Sequence, residues 1–250
     1  MRGRQFVESM IVITRRDLVA HFGSLSNNVF LFIYFITGAV LWAVTLSRLV
    51  SLNNYFQFLL IGLMVLGIYN TSYNYMNIVS TEVRRGYMKY FLALPLSRGG
   101  FSFGRVAAGT LQGLVYVAIL FIFSVLLMGL PPAQGILTIF VSVASIAFCL
   151  SSLGIAIATH FRPDMIDPVS DILGLSLIFT STLYYPAGLM PDTMRIVSSV
   201  NVLSAGGNLM RAAVGVGEAS LQDIIIMIVW DLIFGILSIR GYYRRMITLE

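Results

Sequence analysis

Along the 250-residue chain, apolar positions gather into six long runs, at residues 28–46, 55–79, 106–130, 135–159, 172–190 and 221–240. A helix needs about 20 mostly apolar residues to cross the hydrocarbon core of a bilayer, and each run is near that length. Pro131 and Pro132 stop the third run, and Pro186 interrupts the fifth. The pattern predicts an all-α membrane protein with six transmembrane helices in a single domain over residues 1–250.

Three segments fit neither a clean span nor a simple loop. Residues 4–25 place Phe6, Met10 and Ile13 at helical spacing beside Arg15, Arg16 and Asp17. A short, basic, moderately apolar segment of this kind predicts a helix lying in the membrane interface. Residues 81–98 connect the second and third runs. Residues 184–211 follow the fifth run, are too apolar for a free loop, and contain Pro186, Pro191, Gly206 and Gly207. They predict short helices that re-enter the membrane from outside, sheltered in protein or along a cavity.

Composition narrows the class. The chain is 58% hydrophobic and 11% charged, whereas a soluble domain is roughly a quarter charged. It cannot cover a soluble core with polar surface, which excludes an ordinary cytosolic enzyme and a disordered chain. The net charge of +5 invites a nucleic-acid partner, but the basic residues lie between apolar runs rather than on one polar face, so none is expected. The charge sorts by side instead. With six spans, thirteen of the 16 Lys and Arg residues share the side of both termini, leaving Arg48, Arg195 and Arg211 opposite. The positive-inside rule makes the populated side cytoplasmic. No internal repeat supports an inverted-repeat carrier.

Catalytic chemistry is not expected. The chain contains no phosphate loop, no H-E-x-x-H and no G-x-S-x-G, and His21 and His160 are too far apart in sequence to suggest a metal pair. Asp164, Asp167 and Asp171 crowd one short loop and could hint at acid–base work or a cation, but Asp167 and Asp171 read more simply as acids favoured at a helix N-terminus, with Arg162 a nearby counter-charge. Residues 203–208, Leu-Ser-Ala-Gly-Gly-Asn, resemble the signature of ABC ATPases; without a phosphate loop they read as a flexible turn between two short helices.

The polar interruptions of the spans are candidates for a translocation path. Asn70, Tyr73, Asn74 and Asn77 fall at i, i+3, i+4 and i+7 and share one predicted helix face. Such a stripe faces protein or water rather than lipid. It is either a wall of the path or a set of interhelical hydrogen bonds. Ser176, Thr180 and Tyr184 form a weaker stripe on the fifth span. Asp231 sits near the centre of the sixth, either as a substrate or proton contact or as a charge held by another helix, for example by a Tyr or Asn of the second span. Gly109 and Gly113 lie at a helix-packing interval, and the lone cysteine, Cys149, reads as a small core residue.

The connection 81–98, TEVRRGYMKYFLALPLSR, combines Glu82, Arg84, Arg85 and Lys89 with Tyr87, Met88, Tyr90, Phe91 and Leu92, and ends on a break at Pro95. On residues alone it is either a helix offering a basic and aromatic surface to a cytosolic partner or an interfacial loop whose charges set topology. An acidic residue, a Gly, an aliphatic and aromatic helix and a Pro-Leu-Ser-Arg turn between spans two and three resemble the membrane subunits of ABC-2 type exporters. In that family the segment is the coupling helix that docks on a separate ATPase. Residues 4–25 resemble the family's elbow helix, and YYPAGLMPDTMRIVSSVNVLSAGGNLMR (184–211) resembles its stretch after span five, with Asn201-Val202 where the family usually has Asn-Pro.

The resemblance implies that Glu82, Arg84, Arg85, Gly86, Tyr87 and Lys89 face a cytosolic ABC ATPase, with Arg15, Arg16 and Asp17 nearby. It implies no cofactor in this chain, with ATP and Mg on the partner, and a dimer of two six-span permease subunits in the cell membrane. The expected activity is export of a drug-like, lipid or glycan molecule. The competing expectation is a channel or secondary carrier that needs no ATPase.

Overall fold

Proline, glycine and a few capping side chains divide the apolar chain into helices. The computed structural model describes residues 2–23, 54–129 and 131–247, with single positions between 29 and 45. The first predicted span, 28–46, lies largely outside the described residues. Among the described residues 82% are helical and no strand occurs.

Helix α1 covers Arg2–Phe22. Helix α2 (Tyr55–Ile68) runs through a π-turn at Tyr69–Tyr73 into α3 (Met76–Arg84). A left-handed Gly86, at φ +70°, leads into the short α4 (Met88–Leu92). Ser97 then caps α5 (Arg98–Met128) by accepting the Gly100 amide at 3.1 Å. After Pro131 and Pro132 comes α6 (Ala133–His160), followed by α7 (Ile166–Phe179), α8 (Asp192–Ser198), α9 (Val202–Ala213) and α10 (Leu221–Ile247).

Among the described residues, four helices are long and apolar enough to cross a membrane: Tyr55–Arg84, Arg98–Leu126, Ala133–His160 and Leu221–Arg245. They correspond to the second, third, fourth and sixth apolar runs. The fifth run behaves differently. A helix was expected over 172–190, but α7 starts at Ile166, with Asp167 in its first turn, and ends at Phe179. Its 14 residues rise about 21 Å, short of a hydrocarbon core of about 30 Å. The helix can stop there because Asn201 donates to the Leu177 carbonyl at 2.8 Å and the Ser181 hydroxyl to the Ile178 carbonyl at 2.6 Å. Carbonyls that a helix end leaves unbonded are thereby satisfied.

Helix α6 is the central element. It packs against α2, α3, the π-turn, α5, α7, α9 and α10, and from Cys149 to Thr159 every residue is buried, as expected of a helix surrounded by others. Glycines let α5 approach it. A Cβ at Gly109 would lie 2.7 Å from Ser151 Oγ and 3.0 Å from Tyr75 Cγ, and one at Gly113 would collide with Ser72 Oγ. Residues 203–208, expected as a flexible turn, are helical within α9, and 203–207 are buried. Asn201 caps that helix by accepting the Leu203 amide at 2.9 Å. Gly206 is there for its size, since a Cβ would strike the Ile146 side chain.

Replacing Gly109 with Val overpacks the α5–α6 contact. The expected loss is about 1–3 kcal/mol, read as a lower thermal unfolding midpoint of the detergent-purified protein. Gly3→Ala, with open space around it, leaves that midpoint unchanged or raises it.

Candidate functional site

At one end of the bundle, α1, α3, α4 and α5 converge on a buried ion cluster. Ser9, Ile13 and Asp17 repeat every four residues and form the buried face of α1. That face lies on α5 at Gly100 and Gly104, and Thr14 Oγ1 donates to the Gly104 carbonyl at 3.1 Å. One turn further along α1, Asp17 meets Arg105, whose side chain is 0% exposed. Arg105 Nη1 donates to Asp17 Oδ2 at 2.9 Å, and Nη2 to Glu82 Oε2. Arg16 joins from the rim, donating to Asp17 Oδ1 at 2.7 Å and to Glu82 Oε1 at 3.1 Å. The Tyr75 hydroxyl donates to the second Asp17 oxygen.

Aromatic rings close the cluster. Phe91 of α4 lies 4.6 Å from the Arg16 guanidinium and 5.6 Å from that of Arg105, and Phe101 lies 5.2 Å from Arg105. Tyr242 of α10 packs edge-on against Phe101. Two cations thus sit between two carboxylates under a roof of rings, a geometry in which desolvated charges are compensated.

This changes the expected docking set. Glu82 is expected on the partner-facing surface with Arg16 and Asp17 near it; instead the Asp17 and Glu82 side chains turn inward, 2% and 12% exposed, and Arg16 lies at the rim. An isolated buried carboxylate is costly, and Arg105 draws both of them in. In the sequence Arg105 is only one of the thirteen cations on the side of the termini. The outer surface is made by Arg15, Arg84, Arg85, Tyr87 and Lys89, with Gly86 half-buried. Arg84 pairs with Asp167 of α7 at 2.7 Å. Tyr90, 72% exposed, and Leu94 extend this surface. Helix α4 is tied to α1 through the turn that follows it: the Ser97 amide donates to Ser9 Oγ at 2.9 Å, and Gln5 Nε2 to the Pro95 carbonyl at 3.4 Å.

The polar stripe of the second run is split by the π-turn. A turn with an i→i+5 repeat inserts a residue into the helical register. Tyr73 therefore rotates inward, buried, and donates to the Ser170 carbonyl at 2.9 Å. Asn70, Asn74 and Asn77 stay on the outer face, the last two exposed. Asn70 and Asn74 bond to carbonyls of their own helix, of Leu66 at 3.0 Å and of Asn70 at 2.8 Å. The second stripe is not continuous, because α7 ends before Tyr184. Ser176 is exposed, and Thr180 accepts from Asn201 Nδ2 at 3.1 Å. Tyr184 is half-buried and contributes its carbonyl to the Tyr55 hydroxyl at 2.7 Å. Asp231 is held by neither a Tyr nor an Asn of the second span. Its partner is Ser145 of α6, which donates to Oδ2 at 2.5 Å.

One central residue was read only as an external charge. Arg211 of α9 is 1% exposed, stacks 3.6 Å above the Phe58 ring, and donates to the Thr182 carbonyl at 2.7 Å and the Phe58 carbonyl at 3.3 Å. It fastens the segment after α7 to α2. The signal in the sequence was its setting, a lone cation among Leu, Met and Ala.

The sequence matches the family model described as ABC-2 type transporter over residues 8–214. No curated protein matches the chain.

Removing one partner of a buried ion cluster typically costs about 3–5 kcal/mol, because the others remain buried and unpaired. Arg105→Leu is expected to lower the thermal unfolding midpoint sharply, and Glu82→Ala to do so less, since Glu82 is nearer the rim. Arg85→Ala, on the outer surface, is expected to stay within about 0.5 kcal/mol of wild type. Equal midpoints for all three would contradict the geometry.

Proposed function

Because the chain belongs to the ABC-2 type transporter family and is a multi-pass membrane transport subunit, we propose that it is the permease of an exporter driven by a separate cytosolic ABC ATPase. In this reading six spans cross the cell membrane with both termini cytoplasmic. Run 28–46 supplies the first span, and α7 with the turn after it supplies the fifth. Helix α1 is the elbow, and α4 is the coupling helix. ATP and Mg belong to the partner.

The observation that supports this best is the mounting of α4. Tyr87, Lys89 and Tyr90 project from a short helix whose inner ring, Phe91, rests on the Arg16–Asp17–Arg105–Glu82 cluster. A push on the exposed tip is delivered to α1 and α5 through charges that cannot separate cheaply. A carrier needing no ATPase has no use for an aromatic and basic tip so firmly seated.

A second permease subunit completes the path. Asn70, Asn74 and Asn77 lie on an outer face of the subunit, where hydrocarbon would leave their amides poorly solvated. A second copy or a sister chain facing this stripe would enclose a polar-walled conduit. Export of a drug-like, lipid or glycan molecule fits a route with hydroxyls and amides but few charges.

Co-expression with the ATPase subunit tests the assignment. The two chains are expected to co-purify, and Lys89→Glu with Tyr90→Asp is expected to abolish co-purification while leaving the thermal unfolding midpoint of the permease unchanged. Intact co-purification and intact ATPase stimulation by that double variant would remove α4 as the docking element.

A further inference from the structure

Between α6, α9 and α10 lies a groove of about 380 Å³. Its walls are apolar, with Leu137 and Val141 from α6, Leu209 from α9 and Ile228 from α10. Leu137, Val141 and Ile228 are exposed on the outer surface of the bundle, so the groove opens sideways, toward lipid. Its one strongly polar end is at Ser145, which lines the groove and donates to Asp231. Asp231 follows Ile228 by three residues and Met227, another lining residue, by four, so it continues the groove by one helical turn on the same face.

Ser145 satisfies Oδ2 only. The other oxygen, Oδ1, is buried and has no hydrogen-bond partner. A carboxylate oxygen left unbonded in apolar surroundings is unfavourable, and a charged N–H donor relieves it most effectively. A donor that reaches Asp231 along this groove must be attached to an apolar body, because the walls offer nothing polar beyond hydroxyls.

Building on the export reading, we propose that the groove binds amphiphiles bearing a protonated primary amine, with the ammonium on Asp231 and the hydrocarbon along Val141 and Ile228. The substrate class narrows accordingly from drug-like, lipid or glycan molecules to amine-headed amphiphiles that enter laterally from the bilayer. Ser145 is a positioning residue: it lines the end of the groove and holds the Asp231 carboxylate there through Oδ2.

The test needs neither ATPase nor transport. The permease alone, in nanodiscs of zwitterionic lipid, is titrated with three dansyl-undecyl probes that differ only in the head group: amine, alcohol and carboxylic acid. Wild type is expected to prefer the amine to the alcohol by at least about tenfold, the scale of one charge-assisted hydrogen bond, and to bind the acid least. Asp231→Asn should remove the amine preference while keeping alcohol binding. Val141→Trp, which keeps the carboxylate and fills the groove, should weaken all three probes alike, and it serves if the Asp231 variant does not fold. Equal binding of amine and alcohol to wild type overturns the proposal, as does an amine preference that survives Asp231→Asn or probe binding that Val141→Trp leaves undiminished. In those cases docking of α4 on an ATPase stands or falls by its own co-purification result.

Discussion

The guanidinium of Arg105, buried between the carboxylates of Asp17 and Glu82, is the contact on which this end of the bundle depends. Each ion alone would be too costly to remove from water. Together they fix the relative positions of α1, α3 and α5, and the rings of Phe91, Phe101 and Tyr242 extend the hold to α4 and α10. Hydrophobic packing could not do this so specifically. Apolar faces slide against one another in lipid with little penalty, whereas a guanidinium seated between two carboxylates has one register.

The opposite kind of buried cation is Arg211. It takes its compensation from main-chain carbonyls and the face of Phe58, at the point where the chain leaves α7 and no longer bonds to itself. Irregular backbone within a membrane protein has to find donors and acceptors inside the protein, and here one arginine supplies donors to Thr182, Leu183 and Phe58. Asn201 does the same for Leu177 and Thr180. The charged and amide side chains buried in this chain thus sit where helices end, bend or meet.

Much of this was legible in the sequence, and what was missed shares a cause. The long helices follow from run length, and the segment before them from its basic, amphipathic spacing. The extent of α7 was not legible, because hydropathy counts residues and does not see Asn201 capping Leu177 from 24 positions away. The inward turn of Tyr73 was hidden because equal sequence spacing assumes a uniform helix, and the π-turn breaks that assumption. Glu82 reads as surface, with Asp17 near it, because their partner, Arg105, is distant in sequence and is indistinguishable there from the other cations on the side of the termini. Gly206 and Gly207 suggested flexibility, where at least Gly206 serves to let Ile146 in.

The cluster also sets an order of events during synthesis. Asp17 precedes Arg105 by 88 residues, and Glu82 precedes it by 23. Both carboxylates therefore leave the ribosome well before the cation that allows them to be buried. Until α5 has entered the bilayer, α1 has no internal site for Asp17 and must rest at the aqueous boundary, where its charges are solvated. Its docking is a late step of membrane insertion, although it is the first helix to be made.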